Sequence, residues 1–305
     1  MNLDEEKSAV FSEDVQMDAL PIPKRRSQLS EVWRRFRKNK SALIGLVVVS
    51  LLLALACSAN LLFDYEKDAI EQSAALRLMK PCAEHIFGTD GYGRDVLARI
   101  VFGTRMSLLI GFAVVGLALT VGGIIGAVSG FYGGRVDNVL MRIMDMLMAI
   151  PAILLAIAIV AALGPNLMNL VIALSLSSVP GFARIIRASI LSIRDQEYVE
   201  ATRAIGASDF RIITRHVLPN AIGPVIVQAT LSLASVILSA ASLSYVGLGV
   251  QPPTPEWGTM LAGAKEYIMT QPYLIVFPGL AIVITVLAVN LLGDGLRDAL
   301  DPRLK

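Results

Sequence analysis

The sequence predicts an all-α polytopic membrane protein of about six transmembrane helices, on three observations. First, the 305-residue chain is 55% hydrophobic and only 17% charged, with a mean hydropathy of +0.64, unlike a soluble domain. Second, charge-free runs cover residues 41–63, 106–134, 146–183, 216–255 and 267–293, and a helix needs about 20 apolar residues to cross the hydrocarbon. The third run holds two spans around a turn at Gly164-Pro165-Asn166; the fourth holds one span and a Pro-rich tail, Gln251-Pro252-Pro253. Third, Lys7, Lys24, Arg25, Arg26, Arg34, Arg35, Arg37, Lys38 and Lys40 all precede the first span, so the positive-inside rule places the N-terminus, and after six crossings the C-terminus, in the cytoplasm.

The resulting division is a cytoplasmic tail and basic helix over 1–40, a first span over 41–63, an external segment over 64–105, a five-helix core over 106–293 and a cytoplasmic tail over 294–305. Residues 1–28, polar and aperiodic with Pro21 and Pro23, read as a disordered tail. From Ser30 to Lys40, Trp33 and Phe36 share one side and arginines the others, which fits either a helix in the headgroup layer or a basic flank that only sets orientation. The first span is too long, and its preceding region far too long, for a signal peptide.

The external run His85-Ile86-Phe87-Gly88-Thr89-Asp90-Gly91-Tyr92-Gly93-Arg94-Asp95 matches neither glycine-rich phosphate-binding pattern and lacks calcium-loop spacing. Its reading is structural, with Asp90, Arg94 and Asp95 pairing locally and His85 at the surface. The second span, near 107–130, carries Ala118, Gly122, Gly126 and Gly130 at four-residue spacing, a small-residue stripe that predicts close helix packing inside the bundle. Gly133-Gly134-Arg135 makes a tight turn. In the third helix Pro151 predicts a kink, and Asp145 is either a functional intramembrane acid or, by default, paired with Arg142 or a partner helix. Pro180-Gly181 predicts a bend in the fourth span, at about 167–186. The fifth (221–250) exits into a turn with an interfacial Trp257, and the sixth (273–292) returns the chain inside. Cys57 and Cys82 are not expected to pair.

Four crossings put the polar island 194–220 on the cytoplasmic side. Two short helices are read there: one capped by Asp195 and closed by Gly206, the other capped by Ser208 or Asp209 and stopped by Pro219. Arg203 is placed to pair with Glu200 three residues earlier. Glu200-Ala201-Thr202, Gly206 and Leu218-Pro219 resemble the coupling ("EAA") loop of bacterial ABC importer permeases, E-A-A-x3-G-x9-I-x-L-P. The spacing matches residue for residue, with Thr202 in place of the third alanine and His216 in place of the isoleucine. Further matching segments lie at Phe87–Asp90, Gly93–Asp95, Gly133-Gly134 with Asp137 and Met141-Arg142, 251–258 and 293–302. With them the chain resembles the second permease subunit of dipeptide/oligopeptide ABC importers, the DppC/OppC type.

That resemblance implies an ABC type I importer permease fold in the bacterial cytoplasmic (inner) membrane. It implies a homologous second permease subunit, two cytoplasmic ABC ATPases that bind ATP and magnesium, and a periplasmic solute-binding protein. Glu200, Ala201, Thr202, Arg203, Gly206, Leu218 and Pro219 then form the ATPase-coupling loop. Peptides are the expected solute, with glutathione, nickel and haem served by the same subunit type. The residues themselves offer no nucleotide-binding loop, metal cluster, catalytic constellation or nucleic-acid surface, and they name no pathway residues. No cofactor and no enzymatic activity of its own are expected. Two rivals remain: an ion-coupled secondary transporter, disfavoured because no ionisable residue falls at mid-span, and a passive channel or scaffold subunit.

Overall fold

The structure, a computed structural model, describes residues 28–300; residues 1–27 of the expected tail and the closing Asp301-Pro302 segment lie outside the described residues. The helices are α1 (Gln28–Phe36), α2 (Lys40–Leu62), α3 (Val96–Tyr132), α4 (Gly134–Met148), α5 (Ala152–Leu163), α6 (Leu167–Leu191), α7 (Glu197–Ala204), α8 (Asp209–Ile212), α9 (Leu218–Tyr245), α10 (Trp257–Gly263) and α11 (Tyr273–Leu300). Five are long and apolar enough to cross a membrane, α8 and α9 counting as one, and α4 with α5 forms a sixth, bent candidate.

Side-chain contacts fix which ends lie together. Asn39, ahead of α2, donates to Asp298 near the end of α11 at 3.1 Å, and Phe36 of α1 is buried with Ala42 and Ala299. Arg194, after α6, donates to the carbonyl of Gly130 at the end of α3 at 3.0 Å. This end, with Arg37, Lys38, Lys40, Arg135, Arg187, Arg203 and Arg215, is the basic end. At the opposite end, Tyr273 Oη, opening α11, donates to the carbonyls of Met79 and Thr89.

The α3–α6 contact organises the bundle, and the small-residue stripe explains it. A Cβ on Gly122 would stand 2.7 Å from the Val179 carbonyl, one on Gly126 closer still to that of Ala183, and one on Gly130 3.0 Å from that of Arg187. These acceptors also recur every four residues, so the two backbones run in contact for two turns, an approach only small residues permit. Around this seam Ile110, Leu170, Phe182, Ile237 and Leu243 are buried. The second span differs most from the sequence expectation: its helix, α3, begins at Val96 rather than near 107. At 37 residues α3 is about 55 Å long, well beyond the ~30 Å hydrocarbon, and its first turns are buried under the loops of the end opposite the basic one.

Pro151 does more than kink the third span. α4 and α5 meet at 85°, because proline lacks the N–H that would continue α4 and disfavours helix in the residue before it. At 12 residues α5 is about 18 Å long, too short to cross alone. α4 and α5 together nevertheless link the end of α3 at the basic end to the start of α6 at the other, as one broken span does. Pro180, by contrast, sits inside an unbroken α6.

Trp257 is not interfacial. It is fully buried, donates to the Ile100 carbonyl at 3.2 Å, and lies flat enough on α3 that a Cβ at Gly103 would touch its ring at 2.9 Å. The segment between α2 and α3 folds onto the same end, where Phe87 stacks on Phe277 with centroids 4.0 Å apart. Asp90 pairs with Arg94 at 2.7 Å as read from the sequence; Asp95 instead takes His85 Nδ1 at 2.8 Å and caps α3 through the Ala98 N–H. Cys57 and Cys82 are both free.

Candidate functional site

The basic end carries a platform built from the end of α3, the end of α6 and the segment from α7 to the first turns of α9. Its interior is a second apolar cluster: Phe131, Ile186, Ile190, Ile193, Val199, Ile212 and Val217. Val199 of α7, Ile212 of α8 and Val217 are all at 0% exposure. At roughly 2 kcal/mol per buried valine or isoleucine, those three side chains fix the loop to the bundle as one body.

Polar contacts add orientation. Arg194 sets its guanidinium on the last carbonyls of α3, at Gly130 and Phe131, where a cation suits a helix C-terminus. Arg203 lies over the Phe131 ring, 5.6 Å from its centroid, and does not pair with Glu200. The cation–π contact turns Arg203 towards the bundle, leaving the Glu200 carboxylate exposed and without a hydrogen bond or ion pair among the described residues. Asp195 does not cap α7: Gln196 occupies the N-cap without a side-chain bond, and Asp195 pairs with Arg194 at 3.3 Å. Ser208 is the N-cap of α8, also without a side-chain bond.

Gly206 closes α7 as expected. Its φ of +81° is a left-handed conformation that side chains with a Cβ resist, and the N–H groups of Ile205, Gly206 and Ala207 return to the carbonyls of Ala201, Arg203 and Thr202. Pro219 does not stop the second helix. A wide π-turn, Ile213–Val217, precedes it, so the carbonyl that would collide with the proline ring is carried aside. Asn220 Nδ2 donates to the His216 carbonyl at 2.7 Å and to Tyr198 Oη at 3.2 Å, tying α9 to α7. Leu218 and Pro219 therefore belong to the root of a membrane helix rather than to a free loop.

What faces outward is a ridge: Glu200, Ala201, Ala204, Gly206, and two large apolar side chains, Ile205 at 85% and Phe210 at 77% exposure. A Cβ on Gly206 would meet nothing within 4 Å. The sequence reading missed Phe210; the signal was an aromatic residue in an otherwise polar helix start.

Below the platform, α4 is clasped to α6. Asp137 accepts two bonds from Arg187, at 2.5 and 2.6 Å, and one from Ser129. Asp145 pairs with Arg184 of α6 at 2.5 Å, not with Arg142; Arg184 lies three residues before Arg187, so both acids of α4 are held by one side of α6. Arg187→Ala is expected to destabilise the chain by about 1–3 kcal/mol, less than a fully buried pair because the arginine is one-third exposed. Denaturant unfolding of the purified protein measures it, and the reversal Asp137→Arg with Arg187→Asp should recover part of the loss. Among the described residues no group of three or more His, Cys, Asp or Glu is placed to hold a metal ion.

Comparison with known proteins places this architecture. Residues 100–305 match the family described as binding-protein-dependent transport system inner membrane component, and residues 27–81 match the N-terminal TM domain of oligopeptide transport permease C. The chain is 46% identical over 275 residues to the dipeptide transport system permease protein DppC of Alkalihalophilus pseudofirmus, covering 90% of each chain. It is 47% identical over 285 residues to the di/tripeptide transport system permease protein DppC of Pseudomonas aeruginosa (92% and 93% covered). To the glutathione transport system permease protein GsiD of Escherichia coli it is 43% identical over 292 residues (95% and 96% covered). A solved structure of the MetNI methionine ABC transporter in inward-facing conformations shares the fold, with a TM-score of 0.56 at 21% identity over 67% of this chain and 97% of that one. Six membrane passes, a rigid platform at the basic end and these matches together make the chain a multi-pass inner-membrane permease component of the binding-protein-dependent transport system family.

Proposed function

We propose that the chain is the permease subunit of an ATP-driven importer for short peptides, coupled to its ATPase through the ridge of α7 and α8. The carrying observation is the contrast within one loop: Val199, Ile212 and Val217 fully buried, Ile205 and Phe210 bare. A segment locked to the bundle on one side and apolar on the other transmits force when a partner covers its open side. Glu200 supplies a charged anchor, and Ala201 and Gly206 let a foreign backbone approach closely. Thr202, Arg203, Leu218 and Pro219 support the ridge from behind.

In this reading the basic end faces the cytoplasm, following the positive-inside rule. Two ATPase subunits bind ATP and magnesium there, a second homologous permease completes the passage, and a binding protein delivers solute to the opposite end. The subunit itself performs no catalysis and holds no cofactor. Peptide is the solute supported by the DppC relatives; the GsiD relative supports glutathione as the second reading, itself a small peptide.

The test is stimulated ATP hydrolysis by the purified, reconstituted complex with its binding protein, screened with dipeptides, tripeptides, glutathione, haem and nickel chelates. Stimulation by dipeptides supports the reading; stimulation by haem or nickel alone overturns the peptide assignment. Transport that survives removal of the ATPases would favour a self-powered carrier. In the same complex Phe210→Ala is expected to weaken ATPase association by tenfold or more, about 1.4 kcal/mol or above, measured by subunit retention on dilution, without changing the chain's own stability.

A further inference from the structure

At the end opposite the platform a cavity of about 180 Å³ opens between the external segment and the turn around α10, lined by Tyr92, Arg94, Arg99, Gln251, Thr259 and Gly263 among others. Its charges do not balance. Asp90 is the carboxylate on its wall, and that carboxylate is already saturated. Oδ2 takes Arg94 Nε at 2.8 Å and Arg94 Nη2 at 2.7 Å, while Oδ1 takes the backbone N–H groups of Tyr92 and Arg94. Arg94 and Asp90 thus neutralise each other.

Arg99 is left over. It is 2% exposed, and it spends a single nitrogen, Nη1, on the carbonyls of Ala69 at 2.5 Å and Pro253 at 3.2 Å. Its Nε stands 3.6 Å from Asp90, beyond hydrogen-bond reach, and Nη2 has no partner. No buried side-chain nitrogen or oxygen among the described residues lacks a hydrogen bond, so these two donors are reached from the cavity rather than sealed in protein. A guanidinium held in place and nearly buried, with Nη2 free and Nε engaged only by a 3.6 Å ion pair, can still present a fork that a carboxylate accepts in a bidentate manner. A second cation sharing one carboxylate is only partly compensated, and burial makes that shortfall costly.

We propose that this cavity receives the terminal carboxylate of the solute as it is handed over at the outer end, with Arg99 Nε and Nη2 as the donors. The cavity is smaller than the ~300 Å³ and above typical of a drug-sized ligand, so it suits an end group with one small residue rather than a whole peptide. The rest of the solute would remain outside, past the exposed Tyr92. This inference rests on the peptide-import reading.

The test needs no binding protein. In the assembled complex, with Cys57 and Cys82 replaced by serine, Gly263→Cys puts a thiol on the cavity rim, where a Cβ meets nothing within 4 Å. Its rate of modification by a water-soluble thiol reagent is measured with acetyl-alanine, with acetylalaninamide, and with inorganic phosphate. The expected result is several-fold protection by acetyl-alanine, none by the amide, and an affinity about tenfold weaker or worse in Arg99→Gln, the loss of one charge-assisted contact. Equal protection by acid and amide, or none by either, overturns the proposal, as does stronger protection by phosphate than by the carboxylate. Because Arg99→Gln also releases two carbonyls, the acid–amide comparison on the Gly263→Cys protein alone decides the matter if that variant fails to assemble. Protection in a complex that imports no peptide would leave the site standing and remove the peptide reading; peptide import without protection would remove the site alone.

Discussion

Replacing Gly206 with valine is expected to abolish solute uptake while the ATPases continue to hydrolyse ATP. The position is left-handed, at φ +81°, so a β-branched residue costs roughly 1–2 kcal/mol locally. That strain falls on an exposed turn held by three backbone bonds, and the buried anchors Val199, Ile212 and Val217 do not depend on it. The chain should therefore insert and assemble at normal levels. The larger effect is on docking, since the new side chain stands in open space in this chain and, under the proposed function, inside the ATPase contact. Gly206→Asn separates the two causes, because asparagine tolerates the left-handed region but still enlarges the ridge. Uptake lost in both variants points to docking, and uptake kept in asparagine points to strain. Uptake unaffected in both removes Gly206 from the coupling surface.

Gly126→Val is expected to have the opposite signature: loss of the folded protein itself. A Cβ there would press on the Ala183 carbonyl and stand 3.1 Å from the Arg187 nitrogen, both backbone atoms that cannot turn aside. Overpacking in a core typically costs 1–3 kcal/mol. Here the two rigid helices must part along the seam that also positions Arg187 for Asp137 and Arg194 for Gly130, so the cost lies at or above the top of that range. Steady-state protein in the membrane should fall severely, measured by immunoblot and by thermal stability of what remains. The control is Gly116→Val on the same helix, where a Cβ meets nothing within 4 Å; normal levels are expected for it. If Gly126→Val accumulates normally, the α3–α6 seam does not organise the bundle.

Much of this architecture was legible because membrane burial writes itself into composition. Charge-free runs marked the spans, and four-residue spacing of Ala118, Gly122, Gly126 and Gly130 identified the packing face before its partner was known. Gly206 was legible for a similar local reason, since a left-handed residue is needed where one helix ends and another begins. The misreadings share a different cause: they concern partners distant in sequence. Arg203 was assigned to Glu200 on helix spacing, but the Phe131 ring, brought up by α3, competes for it. Asp145 takes the second of its two expected partners, Arg184 on a neighbouring helix rather than Arg142. Pro219 was read as a stop because the wide turn that accommodates it leaves no mark in the sequence. Trp257 looked interfacial until Gly103 supplied the bare surface on which it lies. Arg99 drew no notice at all, since a charge imbalance inside a cavity appears only when the walls are assembled.

The account rests on the ridge of α7 and α8 being the surface through which an ATPase moves this bundle. A single cysteine at Ile205, the more exposed of the ridge's two large apolar side chains, in a chain lacking Cys57 and Cys82, tests it most directly. In intact cells a membrane-impermeant reagent should leave that cysteine unmodified until the inner face is opened, and a short bifunctional crosslinker should then join it to the ATPase subunit of the assembled complex. Modification from the outside, or an assembled complex in which Ile205→Cys reacts freely and crosslinks to nothing, would contradict it.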